Sequence, residues 1–316
     1  MGDSSVLNIH WAYGFSKDIV GGVHSLSTKD RNALFFLSAH SGVIYDFEHR
    51  SQMILQGHCN SITCCAVSKD KRWIVTADQG EDSILVVWDS FTGAPVKTIF
   101  APHANGCVSV DISDDALYIT SLKAPCADEP QEVAVWAWTR PQPEGVTNDL
   151  PLLREVMITN EKQHDIIFNP FNQSEIATTG AKTVCFWSWE EFKLEGYVGK
   201  VSKTDFGHFS GRLTKTIFLG KSGNALTCSD EGYTILWETQ YATILLDDAN
   251  NGDKVMRTAS KVLKLVDNTG IATMIVINDY IAVACLDGAV RYYDFFLRLE
   301  SWFEDFAAGP LTSLSF

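Results

Sequence analysis

The sequence has no apolar run approaching the roughly 20 residues that cross a bilayer as a helix, and no run of five or more lysines and arginines. Positive charge is scarce: 25 Lys and Arg stand against 39 Asp and Glu, a formal net charge of -14. Nucleic acid and anionic membrane surfaces bind through basic patches, so both are excluded as expected partners. The opening Met1-Gly2-Asp3-Ser4-Ser5 lacks the basic and apolar regions of a signal peptide. Of the eight cysteines none forms a Cys-x-x-Cys pair or lies near a suitably spaced histidine, which points to reduced structural thiols in a cytosolic protein. There is no His-x-x-x-His metal spacing and no Gly-x-Ser-x-Gly elbow. Gly220-Lys221-Ser222 resembles the end of a phosphate loop, but Lys215 stands where that loop requires glycine. Asp247 to Thr258 has a calcium-loop register, yet Ala249 and Thr258 occupy ligand positions. Neither metal, cofactor nor small-molecule substrate is expected, and no catalytic residue stands out.

What is present is a repeat. With 46% hydrophobic residues the chain has ample material for a core. Several segments share one design, a β-rich run, a turn, a second run, a turn, and a third run ending in an aromatic. Those aromatics are Tyr45, Trp88, Trp136, Trp187, Trp237 and Tyr293, spaced by 43 to 56 residues. The clearest unit approaches through Gly57-His58, runs through Ile62–Val67 and Trp73–Ala77, and ends its third run at Trp88-Asp89. Gly-His followed about forty residues later by Trp-Asp resembles a WD repeat. The fold class is therefore all-β, a WD-repeat β-propeller of about six complete blades plus an incomplete seventh. Each four-stranded blade buries its faces only against neighbours around a ring.

The resemblance implies a network in which histidine, aspartate and tryptophan tie the strands of a blade together. Here it comprises His58, Asp82 and Trp88 with Thr76, and Asp287 takes the same turn in blade six. His103, His164 and His208 are candidates for later blades. Leu7–Trp11 reads as the outer strand of a closing blade and Leu311–Phe316 as the inner strand of a blade whose middle strands are absent. On this reading residues 1–316 form a single propeller domain truncated at its C-terminus, with unpaired strand edges flanking the opening. The connections Lys123–Glu132, Thr139–Pro151 and Glu238–Ser260 read as long loops, and no charged cluster is expected around the channel.

Further stretches carry a narrower resemblance. His10-Trp11-Ala12-Tyr13-Gly14-Phe15, the run from Ser38 to Asp46, the run from Ser68 to Asp78, the stretch from Ser83 to Gly93, and Arg291-Tyr292-Tyr293-Asp294-Phe295 are similar to the WD-repeat cilia- and flagella-associated protein family of the calmodulin- and spoke-associated complex. That resemblance implies a non-enzymatic scaffold on the axoneme of the motile cilium or flagellum, near the radial spoke base, contacting other axonemal proteins in support of ciliary and sperm motility. It implies a place in the cytoplasm and cytoskeleton. A generic cytosolic WD-repeat adaptor, such as a substrate receptor or signalling scaffold, is the alternative with the same propeller physics.

Overall fold

A computed structural model describes residues 9–127, 129–141, 149–199, 201, 210–220, 223–242, 254–307 and 309–316. Its strands form six sheets of four, spanning residues 23–56, 62–100, 107–156, 163–198, 213–264 and 271–303. Within each sheet the strands pair antiparallel in chain order, and there is no α-helix among the described residues. This is a six-bladed β-propeller. All six repeating aromatics sit on third strands.

Burial explains the sequence pattern. In blade 2 the middle strands Trp73–Asp78 and Ile84–Asp89 are buried along almost their whole length. They therefore read as near-continuous apolar runs. The outermost strand Pro95–Phe100 is more open, with Pro95, Val96 and Phe100 exposed and only Ile99 fully buried.

The first strands line a central channel of about 750 Å³. Ile166 N donates to Ser109 Oγ and Phe168 N to Asp111 Oδ2, a constant offset, so these neighbouring first strands run in the same direction. Five apolar cores fill the junctions between consecutive blades 1 to 6. The junction between blades 6 and 1 instead holds a cleft of about 640 Å³. Residues 309–316 lie along its inner side. Leu311 N donates to Cys285 O (3.3 Å), Gly21 N to Thr312 O (3.1 Å) and Ser25 N to Ser315 Oγ (2.6 Å).

Three expectations are corrected. Leu311–Phe316 forms no strand, because its backbone bonds are isolated ones to Cys285 and Gly21 rather than a ladder. Of Leu7–Trp11, Leu7 and Asn8 lie outside the described residues and the rest is irregular. There Ala12 exchanges hydrogen bonds with the Gln52 amide, and Trp11 meets Tyr45 edge-on at 6.1 Å. Glu238–Ser260 is not simply a loop. Glu238 to Ala242 pairs with Lys254 to Thr258, prolonging the strands Tyr233–Ala242 and Lys254–Lys264 into a long hairpin. The buried Arg257 anchors it, with Nη2 2.6 Å from Glu175 Oε2 and Nε donating to Gly223 O. Most of the calcium-loop register, Asp247 to Asp253, lies outside the described residues, as do Lys221 and Ser222.

Candidate functional site

Blade 2 holds a linear relay of hydrogen bonds. An indole N–H can only donate, and Trp88 Nε1 donates to Thr76 Oγ1 at 2.8 Å. The other contact of Thr76 Oγ1 is His58 Nε2, also at 2.8 Å. His58 Nδ1 lies 2.8 Å from Asp78 Oδ2, and Asp78 Oδ1 accepts from Ile84 N. An ionised carboxylate is acceptor-only, so His58 donates from Nδ1 to Asp78, and Nε2 shares a hydrogen bond with the Thr76 hydroxyl. All four side chains are buried.

The structure thus brings together His58, Thr76 and Trp88 but not Asp82. Asp82 is an exposed turn residue at φ 55°. Counting six residues back from Trp88 selects that turn, whereas Asp78 is the residue that binds. Strand alternation contains the missed signal: Ile74, Thr76 and Asp78 share one face, the face Trp88 covers. Asp287 is likewise outside such a relay. Its carboxylate clamps Arg291 (2.8 Å) and caps Ala289 N, while Tyr293 donates to Leu265 O.

The indole-to-hydroxyl contact recurs in three more blades, as Trp136 to Ser121, Trp187 to Thr178 and Trp237 to Thr227. His103 joins the first of these through Ser121 Oγ at 2.9 Å. Burial lowers the His103 pKa against the pull of Glu132. Lys123 stands two residues past Ser121, as Asp78 stands past Thr76, and it pairs with Glu129. His164 instead reaches the channel, 3.3 Å from Thr214 O, and His208 lies outside the described residues.

The channel wall corrects the expectation that it carries no charged cluster. First strands of blades 3, 4 and 5 bring Asp111, Asp165 and Lys215 together there. Their spacing hides the cluster in the sequence, because each belongs to a different repeat. Lys215 Nζ sits 2.8 Å from Asp165 Oδ1. Burial opposes the Lys215 charge, but Asp165 and Asp111 outweigh it and its pKa is raised. The amine therefore stays a cation, unsuited to nucleophilic attack. Burial pushes Asp111 up to about 6, yet both its oxygens accept backbone N–H groups, from Phe168 and Ile112. The cluster ties first strands to one another. Among the described residues no group of three or more His, Cys, Asp or Glu has the arrangement to hold a metal ion.

Comparison with known proteins places this geometry. The model of the CFAP251 N-terminal domain matches residues 7–316. The chain belongs to the CFAP251 family. It is 33% identical to cilia- and flagella-associated protein 251 of Tetrahymena thermophila, over 99% of this chain and 31% of that protein. The Chlamydomonas reinhardtii protein of the same name is 32% identical over 99% of this chain and 39% of its own length. Human echinoderm microtubule-associated protein-like 4 is 26% identical over 83% of this chain and 26% of that protein. The chain thus spans roughly a third of the length of the family relatives it matches.

Proposed function

We propose that this chain is a non-enzymatic structural scaffold of the cilium or flagellum, holding other axonemal proteins near the radial spoke base as part of the calmodulin- and spoke-associated complex and so supporting motility. The observation that carries the reading is family membership over almost the whole chain, together with relatives named for cilia and flagella. A more distant relative named as microtubule-associated agrees with a cytoskeletal setting. The structure supports it from the side of chemistry: the polar clusters in the blades and channel wall are spent on tying strands. Residues 1–316 act as one propeller domain, whose partners are proteins rather than nucleic acid, membrane or small molecules. Immunolocalisation of the tagged full-length protein in a ciliated cell, with detergent and salt extraction of the axoneme, tests this. The expected result is signal along the axoneme that survives detergent. Diffuse cytosolic signal with none on the axoneme refutes it and favours a general cytosolic adaptor.

A further inference from the structure

Five junctions of the ring are packed cores, and the sixth, between blades 6 and 1, is a cleft of about 640 Å³. What sits on its inner side repeats the start of a blade. In blades 2 and 5 the residue that opens the first strand donates its N–H to the end of the preceding blade's second strand, Ile62 N to Ala39 O (2.9 Å) and Leu213 N to Ala181 O (2.8 Å). Leu311 N does the same to Cys285 O. The sequence agrees, since Ile62-Thr63, Leu213-Thr214 and Leu311-Thr312 each set threonine after the opening apolar residue. Thr312 and Leu314 then line the central channel beside the first strands. Residues 311–316 therefore hold the place of a seventh first strand.

A first strand needs a second. In all six blades it pairs antiparallel with the strand that follows. Among the described residues no N–H of Thr312 to Phe316 donates to a backbone carbonyl. Ser313 Oγ is buried there without a hydrogen-bond partner. An open strand edge is a template for main-chain pairing, and buried polar groups require partners. The vacancy is shaped for an extended strand rather than a compact apolar molecule.

The walls state which side chains that strand carries. Val290 and Tyr292 line the cleft from blade 6, and Val23 and Leu34 line it from blade 1, so a strand between them meets apolar surface on both sides. No Asp, Glu, Lys or Arg lines it, and burial keeps the lining His24 neutral, its pKa down at about 4. A charged side chain placed there would lose its hydration without gaining a counter-ion. Among the described residues no free strand has the required character. Trp11 and Ala12 are already engaged by Tyr45 and Gln52. The edges of a second copy are its fourth strands, and five of the six carry charged residues, from Lys97 in blade 2 to Glu300 in blade 6. In the remaining one, Ser51–Gln56, Gln52 is the residue bonded to Ala12.

We propose that the cleft between blades 6 and 1 binds a strand donated by a partner protein, uncharged and apolar on both faces, which pairs antiparallel with residues 311–316 as the second strand of a seventh blade. Strand addition of this kind takes its affinity from main-chain bonds and its specificity from the flanking apolar walls. The inference deepens the scaffold reading and rests on its premise that the chain binds protein.

The probe is a fluorescein-labelled peptide that carries the chain's own uncharged second-strand sequence Ala33–Ser38 between lysine pairs. One control peptide has proline at its two central positions, which removes their N–H groups, and the other has aspartate there. The chain is expected to bind the peptide, with slower amide exchange at Thr312 to Phe316, and to bind both controls at least about tenfold more weakly. The L34E variant, and a variant lacking residues 311–316, are expected to bind the peptide at least about tenfold more weakly than the parent. The control peptides act on the unaltered chain, so the outcome is decided even where a variant fails to fold. The chain is also expected to sediment with demembranated Chlamydomonas axonemes and to be displaced by excess peptide. Equal binding of the peptide and either control, or binding without slower exchange at Thr312 to Phe316, overturns the inference. Self-association seen by light scattering and reversed by the peptide also overturns it, by making a second copy the occupant. So does peptide binding by this chain but not by the full-length Chlamydomonas relative, which assigns the cleft to a later segment of the same polypeptide. A chain that binds the peptide in this way but ignores axonemes refutes the ciliary reading and leaves the strand site standing.

Discussion

Replacing Asp78 should damage the fold far more than replacing Asp82, the reverse of what the spacing from Trp88 suggests. Asp78 is fully buried and accepts from His58 Nδ1 and Ile84 N, each at 2.8 Å. In Asp78→Ala both donors stay buried, and alanine offers neither an acceptor. A buried donor left unsatisfied costs about 1–3 kcal/mol, so the two together cost roughly 2–6 kcal/mol. For a chain of this size each kcal/mol moves the melting temperature by about 2 °C, giving a fall of roughly 4–12 °C. Asp82 is exposed at φ 55°, a backbone conformation that alanine tolerates only slightly less well than aspartate. Asp82→Ala should cost less than about 1 kcal/mol. Urea unfolding followed by tryptophan fluorescence measures both, with circular dichroism as a second probe of cooperativity. Equal midpoint shifts, or a larger one for Asp82→Ala, would refute the relay as the stabilising unit of blade 2.

Arg257→Ala strands Glu175 and removes a cation stacked on Phe186 and Phe218, so it should cost about 3–5 kcal/mol; adding Glu175→Ala should restore part of that, and a strictly additive double mutant in the same unfolding assay would count against the pair. Burial holds His24 at about 4, below its usual 6.5, so its contribution to stability is lost as pH falls through that interval, whereas Asp111, raised to about 6 by burial, stabilises as pH falls from 6 to 4. Urea midpoints measured between pH 4 and pH 6 should therefore drop more steeply on acidification in Asp111→Asn than in the parent, and less steeply in His24→Gln. Among the thiols, exposed Cys59 should react with an aromatic disulfide reagent in the native state, while buried Cys64, Cys107 and Cys228, with raised pKa values, should react only after unfolding; rapid native labelling of those three would contradict the blade packing. Deleting residues 311–316 removes contacts to both blade 6 and blade 1, so amide exchange of Gly21 and Ser25 should accelerate while that of the strands in blades 3 and 4 stays unchanged.

The propeller was legible in the chain because its information is local and repeated. Alternating strands, turn chemistry and the six third-strand aromatics from Tyr45 to Tyr293 each follow from burying a four-stranded sheet between neighbours. The same locality let His58, Thr76 and Trp88 be grouped correctly. It failed at Asp82, because two aspartates four residues apart satisfy similar spacing rules and only strand register decides which one faces inward. The sequence alone therefore determined the six complete blades, their order, and an acidic chain poorly suited to nucleic acid. Tertiary structure decided the rest. Asp111, Asp165 and Lys215 become one cluster only when three blades bring their first strands around a common channel. At the junction between blades 6 and 1, residues 309–316 line the cleft and bond to Cys285 on one side and to Gly21 and Ser25 on the other. The contacts of Lys215 with Asp165 and of Gly21 with Thr312 join residues 50 or more apart in the chain, beyond the reach of periodicity and set by how rigid blades stack.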